Sequence, residues 1–147
     1  MKKIAVLMTL VLMLCAMPLT VFASEPVAPC AAANPPAAPN WDYAINIISN
    51  LCFDGTTMYC ESSVTGATSV TSITIEQTLQ KQGFFWIWSK YDNDSVWTTT
   101  ANKNTALAAN KKTGIESGDY RLKTVATLKT ASGKSEKITV YSEIEEI

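Results

Sequence analysis

The sequence predicts an all-β fold, a single antiparallel sandwich of about seven strands. Three observations lead to this fold class. Apolar and polar side chains alternate along several segments after residue 41, turn residues separate these segments at short intervals, and no long amphipathic helical pattern is present. Residues 41–147 would form this domain, which has about the length of one immunoglobulin-like β-sandwich.

Residues 1–23 have the layout of a secretory signal peptide. A cationic start, an apolar run and a small-residue exit follow one another at residues 2–3, 4–14 and 21–23. A retained membrane anchor would need about 20 apolar residues, whereas the run here is shorter and Pro18 follows it. We therefore expect cleavage after Ala23 and a secreted, extracellular protein with no membrane span after cleavage.

Residues 24–40 form a Pro/Ala-rich linker with five prolines and six alanines. Proline at this density prevents ladder hydrogen bonds and favours an extended polyproline conformation. The segment is predicted to be a semi-rigid spacer, and a disordered N-terminus of the mature chain is the alternative.

The composition excludes several classes of function. The chain has no histidine, which rules out Ser-His-Asp and Cys-His catalysis and removes the commonest transition-metal ligand. Removal of Lys2 and Lys3 with the leader leaves 10 basic against 13 acidic residues, a formal net charge of −3. Without a basic stripe, nucleic acid is not an expected partner. We expect no enzyme activity, no cofactor and no metal site.

The first half of the domain shows one ambiguous segment and two clear strands. Residues 41–51 fit both helical and alternating spacing, so we expect a short helical or irregular start and then a strand ending at Phe53. Asp54-Gly55 is a hairpin signal. A strand from Met58 to Val64 and a longer one from Val70 to Lys81 follow, the second with Ile73, Ile75 and Leu79 alternating with Thr74, Glu76, Thr78 and Gln80.

The second half begins with a turn at Gln82-Gly83 and a predicted aromatic strand at residues 84–88. Strands are then expected from Val96, around Leu107, from Tyr120 to Lys129 and through Ile138 and Val140. Turn residues separate them at residues 92–94, 102–104, 110–114, 117–119 and 132–133.

The mature chain would keep Cys30, Cys52 and Cys60, which allows one disulfide and one remaining thiol. Cys52 and Cys60 flank the hairpin turn and would face each other only across a longer loop, because a two-residue loop puts them on opposite faces. We take a Cys52–Cys60 bond as the candidate, while a bond of Cys30 within the chain or to another chain is an equal alternative. Cys60 also fits a small buried core residue.

Four aromatic residues are the candidate binding residues: Phe85, Trp86, Trp88 and Trp97. Five consecutive apolar residues at 84–88 cannot all face one core if they form a strand, because successive side chains point to opposite faces. The structural interpretation is cover by the segment around Trp41 or by a neighbouring subunit. The functional interpretation is an exposed platform on which sugars or wall polymers stack.

Two loops carry polar motifs. Asp92 and Asp94 have a spacing that can ligate calcium, but the later glycine and glutamate of an EF-hand are missing, and a polar turn explains them better. Tyr120 follows the Gly118 turn and begins a late strand, as does the tyrosine that pins the corner of immunoglobulin-like sandwiches. Its hydroxyl would bond to a loop carbonyl, and Arg121 and Lys123 would face solvent.

Several short motifs over about residues 43–142 follow one another in an order that is typical of one protein family. They are Cys60, Val64 and Gly66, then Ile73-Thr74-Ile75, Leu79-Gln80-Lys81, Gly118-Asp119-Tyr120-Arg121, Ser132-Gly133 and Glu136. In this order the chain resembles an uncharacterised family of short secreted β-sandwich proteins from Gram-positive, clostridia-like bacteria. The resemblance implies a secreted sandwich of unknown function, with no catalytic residues to carry over.

The sequence thus predicts a secreted, non-catalytic module for binding or adhesion at the cell envelope. Its partner would be a cell-wall polymer, a glycan or another surface protein. The alternative is a structural surface protein that associates with itself through edge strands and an apolar patch. A carboxylate-dependent hydrolase is less favoured, because no pair of acidic residues lies in an apolar setting.

Overall fold

The computed structural model describes Cys30 and residues 40–147, which form two packed antiparallel sheets. The predicted signal peptide and most of the predicted spacer lie outside the described residues. The strands are β1 (Ala44–Asp54), β2 (Thr57–Gly66), β3 (Val70–Gln82), β4 (Trp88–Lys90), β5 (Val96–Ala101), β6 (Thr105–Lys112), β7 (Asp119–Thr130), β8 (Ser135–Tyr141) and β9 (Glu145–Glu146).

The small sheet has the order β1-β2-β6. In the large sheet, β4 and β5 pair with different parts of one edge of β3, β7 pairs with the other edge of β3, and β8 and β9 pair with β7. The described part of the chain therefore has nine strands where about seven were predicted, and the all-β sandwich-like prediction is confirmed. No helix in this part is long and apolar enough to cross a membrane.

The apolar core between the sheets falls into two clusters. The first core cluster contains Ile47, Val64, Val70, Ile73, Ile75, Ala106, Ala108, Ala126, Leu128 and Ile138. The second core cluster contains Leu51, Met58, Cys60, Leu79, Ile115, Tyr120 and Leu122. Strands β1, β2, β3 and β7 contribute to both clusters, because their inward-facing residues continue from one end of the sandwich to the other.

A buried polar layer separates the two clusters. Each of four strands contributes one inward-facing residue to it, namely Ser49, Ser62, Gln77 and Thr124, all at most 7% exposed. The Gln77 amide nitrogen donates to the Ser62 hydroxyl at 2.7 Å and to the Cys60 carbonyl at 3.2 Å, and its oxygen accepts from the Asn110 amide at 2.6 Å. Thr124 Oγ1 lies 2.7 Å from the hydroxyls of both Ser62 and Ser49. The layer thus joins the large sheet to the small one by hydrogen bonds.

The start of β1 is fixed to the large sheet by a single carboxylate. Glu136 on β8 accepts the backbone N–H groups of Asp42, Tyr43 and Ala44 at 2.9, 2.8 and 3.2 Å. Hydrogen bonds to an ionised acceptor are stronger than neutral ones. Of the two predicted starts of the domain, the irregular one is confirmed and the helical one is wrong: residues 41–43 form no helix, β1 begins at Ala44, and Trp41 and Tyr43 pack against the first core cluster.

Other local predictions are confirmed. β1 and β2 meet in a hairpin with Asp54 opposite Thr57, so Gly55 and Thr56 form a two-residue turn in which Gly55 has φ 59°. The predicted strand from Met58 to Val64 lies within β2, where Met58, Cys60, Ser62 and Val64 form a buried face. The alternating apolar face of β3 is buried as well. These segments could be predicted because their alternation has the period of a strand that is buried on one side.

The candidate Cys52–Cys60 disulfide is wrong, and the alternative of a Cys30 bond within the chain is confirmed. The structure joins Cys52 to Cys30, with their Cα atoms 5.5 Å apart. The two-residue turn places Cys52 opposite Tyr59 and Leu51 opposite Cys60, so Cys52 and Cys60 point to opposite faces of the small sheet. Cys60 is a free, fully buried thiol in the second core cluster.

We expect Cys60 to make stability pH-dependent in alkaline solution. Burial raises the pKa of its thiol from 9.0 to about 12, so above pH 9 the unfolded chain loses this proton while the folded chain retains it. The free energy of unfolding should therefore fall by about 1.4 kcal/mol per pH unit from pH 9 towards 12. Urea unfolding of the wild type and of Cys60→Ala at pH 8 and pH 10.5 checks this. Parallel pH profiles for the two proteins would contradict it.

We expect Gln77→Ala to lower the free energy of unfolding by about 3 kcal/mol, because it leaves buried polar partners unpaired and opens a cavity. The matched control is Gln82→Ala at the end of the same strand, where the side chain is partly exposed. The control should change stability by less than about 0.5 kcal/mol. Equal chemical denaturation midpoints for the two variants would show that the polar layer does not hold the sheets together.

Candidate functional site

The three most exposed large apolar side chains in the described residues, those of Phe84, Phe85 and Trp86, lie side by side at the end of the β3–β4 hairpin, and the exposed Ile87 follows them. Phe84, Phe85, Trp86 and Ile87, which we call the aromatic loop, are 87%, 81%, 80% and 63% exposed. The prediction of a strand over residues 84–88 is wrong here, because the loop is a short 3₁₀ turn and only Trp88 begins β4. The structural interpretation, cover by the segment around Trp41, is also wrong for these rings.

The turn holds two bulky residues in the left-handed region. Phe85 has φ 58° and ψ 29°, and Trp86 has φ 63°. The N–H of Gly83 donates to the carbonyl of Ile87 at 2.8 Å, and the N–H of Ile87 lies 3.5 Å from the carbonyl of Phe84. Positive φ at both central residues is the pattern of a type I′ hairpin turn, which favours Asn-Gly. An aromatic pair at these positions stores strain of about 1–2 kcal/mol per residue.

A cleft of about 410 Å³ lies between the aromatic loop and the start of β7. Its lining residues are Gln82, Gly83, Phe84, Phe85, Trp86, Gly118 and Asp119. Lys81 is opposite Tyr120 in the β3–β7 ladder, so the next residues along these strands, Gln82 and Asp119, approach each other beneath the loop. The cleft therefore combines three aromatic rings with one amide and one carboxylate.

The backbone conformation at position 118 favours glycine. Its φ is 146°, and a Cβ at this position would meet Cε of Lys81 at 2.8 Å. The backbone angle is the reason for glycine, because residues with a Cβ rarely adopt it, whereas the flexible end of Lys81 can move aside. The N–H of Gly118 donates to the carbonyl of Ile147, and the N–H of Ile147 donates to the carbonyl of Gly118, both at 3.0 Å, so Ile147 fixes this wall of the cleft.

Beside the cleft, on the outer face of the large sheet, Arg121 stacks between two aromatic rings. The guanidinium carbon of Arg121 lies 4.4 Å from the ring centre of Trp88 and 4.1 Å from that of Tyr141. Its Nε donates to the Gln80 side-chain oxygen at 2.8 Å. Arg121 had been predicted only to face solvent; the structure instead uses it to hold two aromatic rings in fixed positions.

The four predicted binding residues do not form one group. Phe85 and Trp86 belong to the aromatic loop, and Trp88 lies next to it on β4. Trp97 is opposite Gln77 on β5, faces the interior and packs against the second core cluster. Sequence reasoning missed Asp119 as a cleft residue, although its position after Gly118 marked the bend that places it there.

Tyr120 makes the predicted contact. Its hydroxyl donates to the carbonyl of Glu116 at 2.7 Å, and its ring packs edge-on against Tyr91 with centroids 5.6 Å apart. Burial raises the pKa of this phenol, although Lys81 nearby acts in the opposite direction. Tyr120 thus holds the loop before β7 in place, close to the cleft.

The acidic loop at residues 92–94 is a polar turn. Asp92 forms a 2.6 Å ion pair with Lys112, which lowers the pKa of the Asp92 carboxyl, and the Ser95 hydroxyl donates to the Asp92 carbonyl at 2.8 Å. Within Cys30 and residues 40–147, no three His, Cys, Asp or Glu side chains are grouped closely enough to hold a metal ion.

No protein-family model and no curated protein matches the chain, so the resemblance to the secreted Gram-positive family stays a prediction. Among solved structures, the chain is similar to wild-type OgpA from Akkermansia muciniphila in two crystal forms. The TM-scores are 0.36 and 0.33 at 8% and 12% identity, over 73% and 76% of this chain and 31% and 30% of that chain.

Catalytically inactive OgpA in complex with an O-glycopeptide substrate gives a TM-score of 0.34 at 10% identity, over 86% of this chain and 35% of that one. The chain thus spans about a third of the length of OgpA. Likeness at this level carries no conclusion about the activity of this chain.

We expect the double substitution Phe85→Asn and Trp86→Gly to raise the free energy of unfolding by about 1–2 kcal/mol, because it relieves the left-handed strain at two residues, and the larger backbone entropy that glycine loses on folding offsets part of this gain. The control is Phe84→Asn, which removes an equally exposed ring from a position without positive φ. Thermal and urea unfolding measure the difference. A double variant no more stable than the control would rule out a strained turn.

Proposed function

We propose that this protein is a secreted, non-catalytic module that binds a glycan or wall polymer at the cell envelope through the aromatic loop and its cleft. The observation that carries the proposal is the exposure of four consecutive apolar side chains, 63–87%, beside the half-buried Asp119. Contiguous exposed apolar surface with a polar border is typical of an interaction site.

The chemistry of the cleft supports a saccharide as the partner. Flat aromatic rings pack well on the apolar faces of sugar rings. The Gln82 amide and the Asp119 carboxylate line the same cleft and offer a donor and acceptors for hydroxyl groups. A ligand site of this kind needs apolar walls and a few fixed polar groups to set orientation.

The absence of catalysis is part of the proposal. The chain has no histidine, and a carboxylate pair would be needed for hydrolysis of a glycosidic bond. Asp119 is opposite Glu146 in the β7–β9 ladder, but Glu146 is exposed and does not line the cleft. The pair therefore does not enclose a position for a substrate bond.

We also infer an immunoglobulin-like type of sandwich, supported by the Tyr120–Glu116 hydrogen bond at the start of β7. Secretion and cleavage after Ala23 belong to the same proposal and are supported by the layout of residues 1–23. N-terminal sequencing of the protein recovered from culture medium tests the cleavage site.

Self-association is the second candidate, favoured by the same exposed rings, since a second copy could bury them. Light scattering on the purified protein separates the two functions. A dimer that dissociates when Trp86 is replaced by Ala would support self-association, whereas a monomer that binds polymer supports the envelope module.

We expect Trp86→Ala to weaken binding to peptidoglycan, teichoic acid or a glycan by about tenfold, because a stacked ring contributes about 0.5–1.5 kcal/mol beyond its buried area. Trp88→Ala should weaken binding less, because Trp88 lies beside the cleft and its ring stacks on Arg121. Co-sedimentation with purified cell walls and a glycan array measure this. Leu107→Ala is the matched control, since Leu107 is 69% exposed on the other sheet. Equal losses for Leu107 and Trp86 would contradict binding through the aromatic loop.

A further inference from the structure

We propose that the cleft selects a positively charged amine carried on a saccharide, such as an amino sugar with a free amino group. This inference rests on the proposed function and names the chemistry of its ligand. Among the described residues, Asp119 is the one charged side chain that lines the cleft, and it is a carboxylate. Three aromatic rings, those of Phe84, Phe85 and Trp86, line it as well.

Aromatic rings and a carboxylate together are suited to an organic cation. The face of an aromatic ring carries partial negative charge and attracts an ammonium group within about 6 Å of its centre. A nearby carboxylate adds a charge-assisted hydrogen bond that a neutral acetamide does not form equally well. Phe84 and Phe85 are arranged edge to face, with their ring centres 5.1 Å apart, so they present surfaces in two directions.

The protein's own cations near the cleft have other partners. Lys81 forms a 3.4 Å ion pair with Glu116, and its ammonium lies 5.4 Å from the ring centre of Tyr120. Arg121 is held between Trp88 and Tyr141 and donates to Gln80. The side chain of Asp119 makes no ion pair or hydrogen bond with another described residue, so its charge is available to a ligand.

Two other partners fit the cleft less well. An anionic polymer would bring its charge against the Asp119 carboxylate, and like charges repel in a partly desolvated site. Insertion of the aromatic loop into a bilayer would carry the same carboxylate towards the hydrocarbon region, where an ionised group is costly. An amine on a polymer in water has neither disadvantage.

The test is calorimetric titration of the full chain with chitosan oligosaccharides, which carry free amines, and with chitin oligosaccharides of the same length, in which the amines are acetylated. We expect chitosan oligomers to bind at least tenfold more tightly. Asp119→Asn should reduce the ratio of the two affinities to about one, because it removes the charge and keeps a hydrogen-bonding side chain at the same place in the cleft. Asp42→Asn, which removes an exposed carboxylate elsewhere, should keep the preference, and thermal unfolding checks that both variants are folded.

Equal affinity for the two oligosaccharides would overturn the amine selectivity but leave the proposed function standing, because the glycan would still bind. Binding to phosphatidylcholine vesicles without binding to either oligosaccharide would overturn the inference in favour of a lipid surface. Failure of the oligosaccharides to bind at all would overturn it too. In that case, binding of purified cell walls that Trp86→Ala abolishes would still support the proposed function by itself.

Discussion

The two sheets of this sandwich are held in one relative position by the buried polar layer around Gln77. Apolar clusters alone tolerate small shifts of one sheet over the other, because hydrophobic attraction has no direction. Hydrogen bonds do have direction, and an unpaired buried amide is costly. The two sheets must therefore lie so that the Gln77 amide nitrogen donates to Ser62 and the Gln77 amide oxygen accepts from Asn110, both on the small sheet. The positions of β3, and hence of the aromatic loop that follows it, depend on this contact.

The strands next to this layer could be predicted from sequence, but the layer itself was missed. Ile73, Ile75 and Leu79 have the period of a strand, and the same period places residue 77 on the inner face. A glutamine at that position interrupts the apolar face, and large polar side chains are mostly exposed in folded proteins, so alternation alone does not identify it as a buried residue. Its partners come from β2 and β6, which only the folded chain brings close. Side-chain hydrogen bonds between two sheets cannot be predicted from the alternation of apolar and polar residues within one strand.

The aromatic loop was mispredicted for a related reason. Local propensity favours a strand for five successive β-formers, and it favours Asn or Gly for a hairpin turn. The fold reverses both preferences at Phe85 and Trp86, because Gln82 and Trp88 pair and leave a short connection between them. The Cys30 bond was one of two equal alternatives from sequence, since nothing in the spacing of three cysteines decides between partners. The sequence did predict that the side chains of residues 84–88 cannot all pack in one core.

Strain and exposure at the same two residues favour a function over a structural role. A turn selected for stability alone would carry Asn-Gly, and a surface selected for solubility alone would carry polar side chains. Phe85 and Trp86 violate both rules, and the folded domain tolerates the cost because its two clusters and polar layer lie elsewhere. Rings placed on a strained, tight turn also lose less freedom when a ligand binds than rings on a loose loop. The ring faces beside Asp119 are therefore preorganised, which is what the proposed binding of a small saccharide group in this open cleft requires.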